Sequence, residues 1–411
     1  MKQFNPDSIS NRQNGQRLTG FIIFVFLICL LNLIINNINH RFYVTDFKVY
    51  FYTAKNLIAG GRVYFDPDYV YKYSPFTLLL FLPYALINLK AAAVVHFFVL
   101  SFAYLITYLQ IRKLLVKYFF TGIKNEGWLL SIAVICTMIF LVKELYLGNI
   151  NIILIALCLL SLIDFLNGKY RRGGILFGLV ILAKPFFLIL ILPLLFRKKF
   201  KGIAVITMTI LTGLIIPFIF LGFQRSFSLT IDWFKTLMMH TTRYESMNSI
   251  DYLFHYYLFP GIKGPSEFII IFIAGILMTW FIMKNIHLET ISRETNDLQN
   301  QNFVIEWFLI LALLPNIVNT DTEHFLASAP VITFIVYYLA YTKRFWLIPL
   351  MVILIFFYGG NSQDALGKDL SYRLFSMGLI GLSNLLIILM ALFFYLDFRD
   401  LKSGTDSARI D

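Results

Sequence analysis

The sequence predicts an all-α polytopic membrane protein. Apolar runs of about 20 residues, the length a helix needs to cross a bilayer, recur along the whole 411-residue chain. Hydrophobic residues make up 59% of it and charged residues only 14%, which leaves too few charges to coat a soluble body of this size. The Lys and Arg that do occur fall mostly in the short connections between the runs, as in multi-pass proteins that hold basic loops in the cytoplasm. Helices are expected rather than strands because an isolated strand cannot satisfy its backbone in lipid.

Taken in order, the full-length runs lie at about 18–36, 91–111, 128–144, 150–167, 202–222, 266–285, 303–318, 325–341, 345–358 and 376–397. Two further stretches leave the count between about 10 and 12. Phe76 to Asn88 is short for a span and contains Pro83. Gly173 to Phe196 is long enough, but Lys184-Pro185 interrupts its middle. If both stretches turn back, Arg112, Lys113, Lys117, Lys124, Lys169, Arg171 and Arg172 all fall in the cytoplasm, so charge bias favours the lower count. Either topology puts Asp46, the loop from Gln224 to Glu267 and the Asn316 to His324 turn on one outer side.

The polar N-terminus precedes a run too long for a cleaved signal, so it is expected to stay in the cytoplasm, with the protein in the cytoplasmic (inner) membrane. A net charge of +12 would point to nucleic acid in a soluble domain; here no such domain exists, and no nucleic-acid partner is expected. Cys29, Cys136 and Cys158 all sit inside apolar runs without paired spacing and read as core or lipid-facing residues. His40, His96, His240, His255 and His287 share no spacing, and neither a metal site nor a cofactor is expected. The chain reads as one integral membrane domain, 1–411. Its parts are a first span (18–36), an outer loop (37–75), a core bundle (76–222), a second outer loop (223–267) and C-terminal spans (268–397).

The two outer loops are long and aromatic, and long connections in a compact fold are usually functional or disordered. The first opens at Asp46, where Phe47, Tyr50, Phe51, Ala54, Leu57 and Ile58 recur at helical spacing. That pattern predicts a helix along the membrane surface with Asp46 at its N-terminus, where the helix dipole favours an ionised carboxylate able to act as a base. Thr45 and Asp46 would equally serve as simple caps. A carboxylate with rings and cations near a membrane surface suits sugar transfer from a lipid-linked donor. Asp66, Asp68 and Glu144 are alternative acids, although Asp66-Pro67-Asp68 reads first as a turn.

The order Asp46-Phe-x-Val-Tyr50-x-x-x-Ala54, Gly60-Gly61, Tyr64, Tyr73-x-Pro75-Phe76 and Pro83 resembles glycosyltransferase family 87. So do Gly148-Asn149-x-Asn151, Gly174-x-x-x-Gly178, Lys184-Pro185 and the basic stretch Arg197 to Lys199. The resemblance spans most of the chain and implies a GT-C transmembrane bundle with amphipathic helices in its outer loops. It implies a polyprenyl-phosphate sugar donor, most often of mannose, an acceptor that is a lipid-linked or surface glycan, and chemistry at the outer face. It further implies inverting transfer, with Asp46 as base.

A departing lipid phosphate needs positive charge or hydrogen-bond donors. Lys184, an intramembrane lysine, is the first candidate, and its alternative is a snorkelling residue at a helix break. His324 holds the family's histidine position, yet Thr322 and Glu323 precede it where the family often has an aromatic; a helix-start role fits it equally. Arg62 and Lys72 could reach phosphate or lipid headgroups. For the sugar or acceptor, the candidates are Tyr50, Tyr73, Asn149, Arg243, Asn248 and Ser249. A transporter or flippase of lipid-linked sugars, or a glycan polymerase, is the competing reading.

Overall fold

The computed structural model describes residues 6–40, 46–65, 70–243, 246–257, 296–318, 321–360 and 363–407. Among these every regular element is helical. Six helical stretches are long and apolar enough to cross a membrane: Leu18–Ile38, Leu89–Tyr118, Glu126–Leu147, Phe200–Leu221, Thr322–Thr342 and Leu379–Leu401. The protein is an all-α polytopic membrane protein. The expected span at 266–285 lies outside the described residues.

In chain order, α1 (Pro6–Ile38) leads to the surface helix α2 (Asp46–Ile58), then α3 (Pro75–Ala85), α4 (Leu89–Tyr118) and α5 (Glu126–Leu147). The amphipathic pattern of the first loop does form a helix, which buries Phe47, Tyr50, Phe51, Ala54 and Leu57. Ser74 caps α3 by accepting the Thr77 N–H at 3.3 Å, with Pro75 in the first turn, where its missing N–H costs nothing. Asn88 caps α4 in the same way at 2.9 Å. At 11 residues, α3 is only about 16 Å long and cannot cross.

The helices α6 (Asn151–Leu166) and α7 (Tyr170–Ala183) follow. Lys184 then breaks the chain, and a 3-10 turn (Pro185–Ile191) and α8 (Leu192–Phe196) return it. Both feet of this hairpin, Tyr170 and Phe196, line one cavity at the far end from Lys184, so the segment enters and turns back. Next come α9 (Phe200–Leu221), α10 (Phe223–Arg243) and α11 (Ile250–Tyr257). The second expected loop is thus helical at its start, and α10 covers the first loop. Arg225 donates to the Leu57 carbonyl at 2.8 Å, and the Trp233 indole N–H to that of Lys72 at 3.1 Å.

Helix α12 (Asn296–Ile317) is buried on all sides from Gln301 to Asn316 and forms the strut of the bundle. In its middle Glu306 is fully buried and receives both guanidinium nitrogens of Arg197, one at 2.9 Å. A 3-10 segment (Thr322–Ser328) then runs into α13 (Ala329–Thr342). The remaining α-helices among the described residues are α14 (Ile348–Ile355), α15 (Gln363–Leu366), α16 (Lys368–Ser376) and α17 (Leu379–Ser407).

Candidate active site

The site grows from the turn between α5 and α6. Gly148 ends α5 in a left-handed conformation (φ 70°) that side chains disfavour. Asn149 accepts the Ile150 N–H on its side-chain oxygen at 2.7 Å. Glu144, fully buried, accepts the Ile152 N–H and the Asn151 amide, both at 3.0 Å, and so sits at the positive end of α6. The Gly148-Asn149-x-Asn151 motif is therefore a rigid connection presenting two amide side chains.

Asn149 holds Asp46, donating from Nδ2 to Asp46 Oδ2 at 2.8 Å. The hydroxyls of Tyr50 and Tyr73 lie 2.9 Å apart, and 3.4 and 3.2 Å from Asn149 Oδ1. With donors gathered at Oδ1, the amide can turn only its N–H toward the carboxylate. His96 braces the other side. Its Nε2 donates to the Gly148 carbonyl at 2.9 Å while its ring stacks on Phe47, centroids 4.7 Å apart. Both chain segments around Asp46 are thereby fixed.

Lys184 forms the second half. Its backbone is extended (φ −135°, ψ 99°) because Pro185 excludes the helical region for its predecessor. The ammonium donates to Asn151 Oδ1 and to His324 Nε2, the latter at 2.8 Å. His324 Nδ1 donates to the Asp321 carbonyl at 3.2 Å, which leaves Nε2 with the lone pair Lys184 uses. Lys143 holds the His324 segment through Glu323 at 3.0 Å and Thr322 at 2.5 Å. Lys184 also lies 5.6 Å from the centroid of the Tyr73 ring, on the Asp46 side of the network.

Burial, then the charge of Glu323, pushes the Asp46 carboxyl up to about 6, against the opposing pull of Lys184; Asp321 raises it further and Lys72 lowers it. The helix terminus was expected to favour an ionised group. Desolvation outweighs it, leaving a carboxylate that is ionised at neutral pH yet more basic than an ordinary aspartate.

The remaining expected site residues fall in different places. Arg62 is exposed and makes no hydrogen bond or ion pair among the described residues. Lys72 is half-buried and close enough for its charge to act on Asp46. The structure does not gather Asn248 and Ser249 into the Asp46 network. Asn248 accepts the Gly381 N–H at 3.1 Å on its side chain, and its carbonyl accepts from Asn316 at 3.0 Å. Ser249 accepts the Tyr252 N–H at 3.1 Å and so caps α11. Tyr50, Tyr73 and Asn149, expected to touch sugar, are joined to one another and to Asp46. Arg243 ends α10, but its side chain, like Asp66 and Asp68, lies outside the described residues. Sequence reasoning missed Asn151, Lys143 and Glu323 as members of the network. The Lys143-Glu144 pair inside an apolar run was the signal for part of it.

Fold and site together define a multi-pass helical membrane protein with a carboxylate and a buried ammonium in one polar network. A profile of glycosyltransferase family 87 matches residues 71–292, more than half of the chain, and the chain belongs to that family. It is a membrane glycosyltransferase. The matched stretch includes Tyr73, Asn149 and Lys184, while Asp46, Tyr50 and His324 lie outside it. A search of curated proteins finds no match.

Proposed function

We propose that the protein moves a hexose, mannose being the family's usual sugar, from a polyprenyl phosphate to a lipid-linked or surface glycan at the outer face of the inner membrane. One observation carries this reading. Lys184 is a buried ammonium that holds only two neutral acceptors, Asn151 and His324, and no carboxylate among the described residues. An ammonium has three N–H donors, so one is left for an anion. A phosphate leaving group is the anion this reaction requires there.

Asp46 takes the proton of the acceptor hydroxyl as that oxygen attacks the anomeric carbon. The bond from that carbon to the phosphate oxygen breaks, its electron pair leaves with the phosphate, and configuration inverts. The phosphate departs already ionised, so no general acid is needed, in contrast to hydrolysis of an ordinary glycoside. Lys184, with His324 fixing it, stabilises the developing charge; Lys72 adds charge nearby, and Arg62 reaches the headgroup region. Asn149, Tyr50 and Tyr73 hold the base in place, and through it they position the sugar or acceptor. Asn248 and Ser249 belong to the loop before α11, which we place on the acceptor side; Arg243, expected to join them, has its side chain outside the described residues.

Purified protein in detergent, given a panel of polyprenyl-phosphate sugars and extracted membrane lipids, tests this. Transfer from one donor, lowered about 10²–10³-fold by Lys184→Ala together with weakened donor binding, is expected. Donor binding without transfer to any extracted lipid, in folded protein, would favour transport instead.

A further inference from the structure

A cavity of about 790 Å³ opens at the end of the bundle away from Lys184, lined in part by Tyr170, Arg197, Lys199, Lys201, Asn302 and Phe303. It is about 20 Å from the site, the length of α7 between Tyr170 and Ala183. Lys198 also lines it, so four cations face the space, and no Asp or Glu lines it among the described residues. Glu306, one turn beyond Phe303 on α12, is already bound by Arg197 on both oxygens.

The cavity is a built one. Lys199 Nζ is held 5.6 Å from the Tyr170 centroid and 5.2 Å from that of Phe303, which also carries Arg197 at 4.8 Å. The backbone that presents these cations is pinned, since the Lys198 and Lys199 N–H groups donate to the Leu195 and Leu194 carbonyls, each at 2.9 Å. The Lys199 ammonium makes no hydrogen bond or ion pair among the described residues, and burial together with Arg197 lowers its pKa, the sign of a cation lacking a counter-charge. A second, independent observation comes from Asn302. It is fully buried and its oxygen accepts from Tyr395, but its Nδ2 has no acceptor among the described residues. An unsatisfied buried amide donor beside unpaired ammonium groups calls for an acceptor-rich anion.

The rim identifies the source of that anion. Leu195, Phe196 and Phe200 stand 43%, 54% and 61% exposed beside the cations, of which Arg197 and Lys199 are half-buried and Lys198 and Lys201 exposed. Apolar rings around a cationic pocket at a helix end match a ligand that carries acyl chains as well as charge. We infer that this cavity binds the phosphate diester of an anionic phospholipid headgroup, as a site separate from the Asp46–Lys184 network. Lys199 and Lys201 supply the charge, Asn302 a hydrogen bond, and Phe196 and Phe200 contact the chains.

Native mass spectrometry of the full chain, exchanged from phosphatidylcholine into mixtures containing phosphatidylglycerol, tests this directly. Wild type should retain phosphatidylglycerol, and Lys199→Gln/Lys201→Gln should retain it at least about tenfold less, as loss of two charge-assisted contacts implies. Lys113→Gln/Lys343→Gln, which removes two exposed charges at the same end outside the cavity, should behave as wild type. Melting in phosphatidylcholine alone should be unchanged in both variants, showing them folded. Equal retention by wild type and the Lys199/Lys201 variant would overturn the site. Stabilisation by inorganic phosphate equal to that by the lipid would overturn its assignment to a lipid headgroup.

Discussion

Asp46 carries two consequences that pull in opposite directions. With its carboxyl raised to about 6, transfer should follow a one-proton limb and fall as pH drops below about 6. Asp46→Asn removes the base and should lower the rate by about 10²–10⁴-fold. The same shift has a stability cost, since between its ordinary value of 3.8 and about 6 the folded protein keeps a proton that the unfolded chain has released. Stability therefore falls as pH rises through that window, by about 2–3 kcal/mol in all, and the loss is complete above it. Thermal unfolding of the two proteins across this range checks the sign: wild type should lose more melting temperature as pH rises than Asp46→Asn does. Asp46 was readable in the sequence as the head of an amphipathic helix. Its raised pKa was not, because burial and the Glu323 charge come from segments far away in the chain.

Among the elements, the loop before α11 is held by a close approach that leaves no room for a side chain. A Cβ at Gly381 would stand 2.2 Å from the Asn248 carbonyl oxygen. Gly381→Ala must push that loop off α17 and should destabilise the protein by about 1–3 kcal/mol, read as a drop in melting temperature. Helix existence was largely legible from apolar runs, and the Lys184-Pro185 break showed in the sequence because proline excludes helix before it. Asn248 and Ser249 were harder. A polar pair in a long aromatic loop looks the same whether it faces a sugar or caps a helix, and the contact of Asn248 with Gly381 joins positions 133 residues apart.

For the whole molecule, the bundle joins two polar ends, and the Arg197–Glu306 pair lies toward the one away from Lys184. Arg197→Met would strand Glu306 inside the bundle and should cost about 3–5 kcal/mol, whereas Arg197→Met/Glu306→Met should recover most of that. Denaturant or thermal melts of the three proteins measure it. This pairing joins positions 109 residues apart, and no local pattern announces it. The polytopic class, by contrast, follows from hydropathy alone, and the order of short motifs pointed to the family. The most direct test of the catalytic assignment is single-turnover transfer from a radiolabelled polyprenyl-phosphate sugar at neutral pH, with donor binding measured in parallel for wild type and Asp46→Asn. Equal donor binding with transfer confined to wild type is the predicted result. Equal transfer by both proteins would contradict it and remove Asp46 as the base.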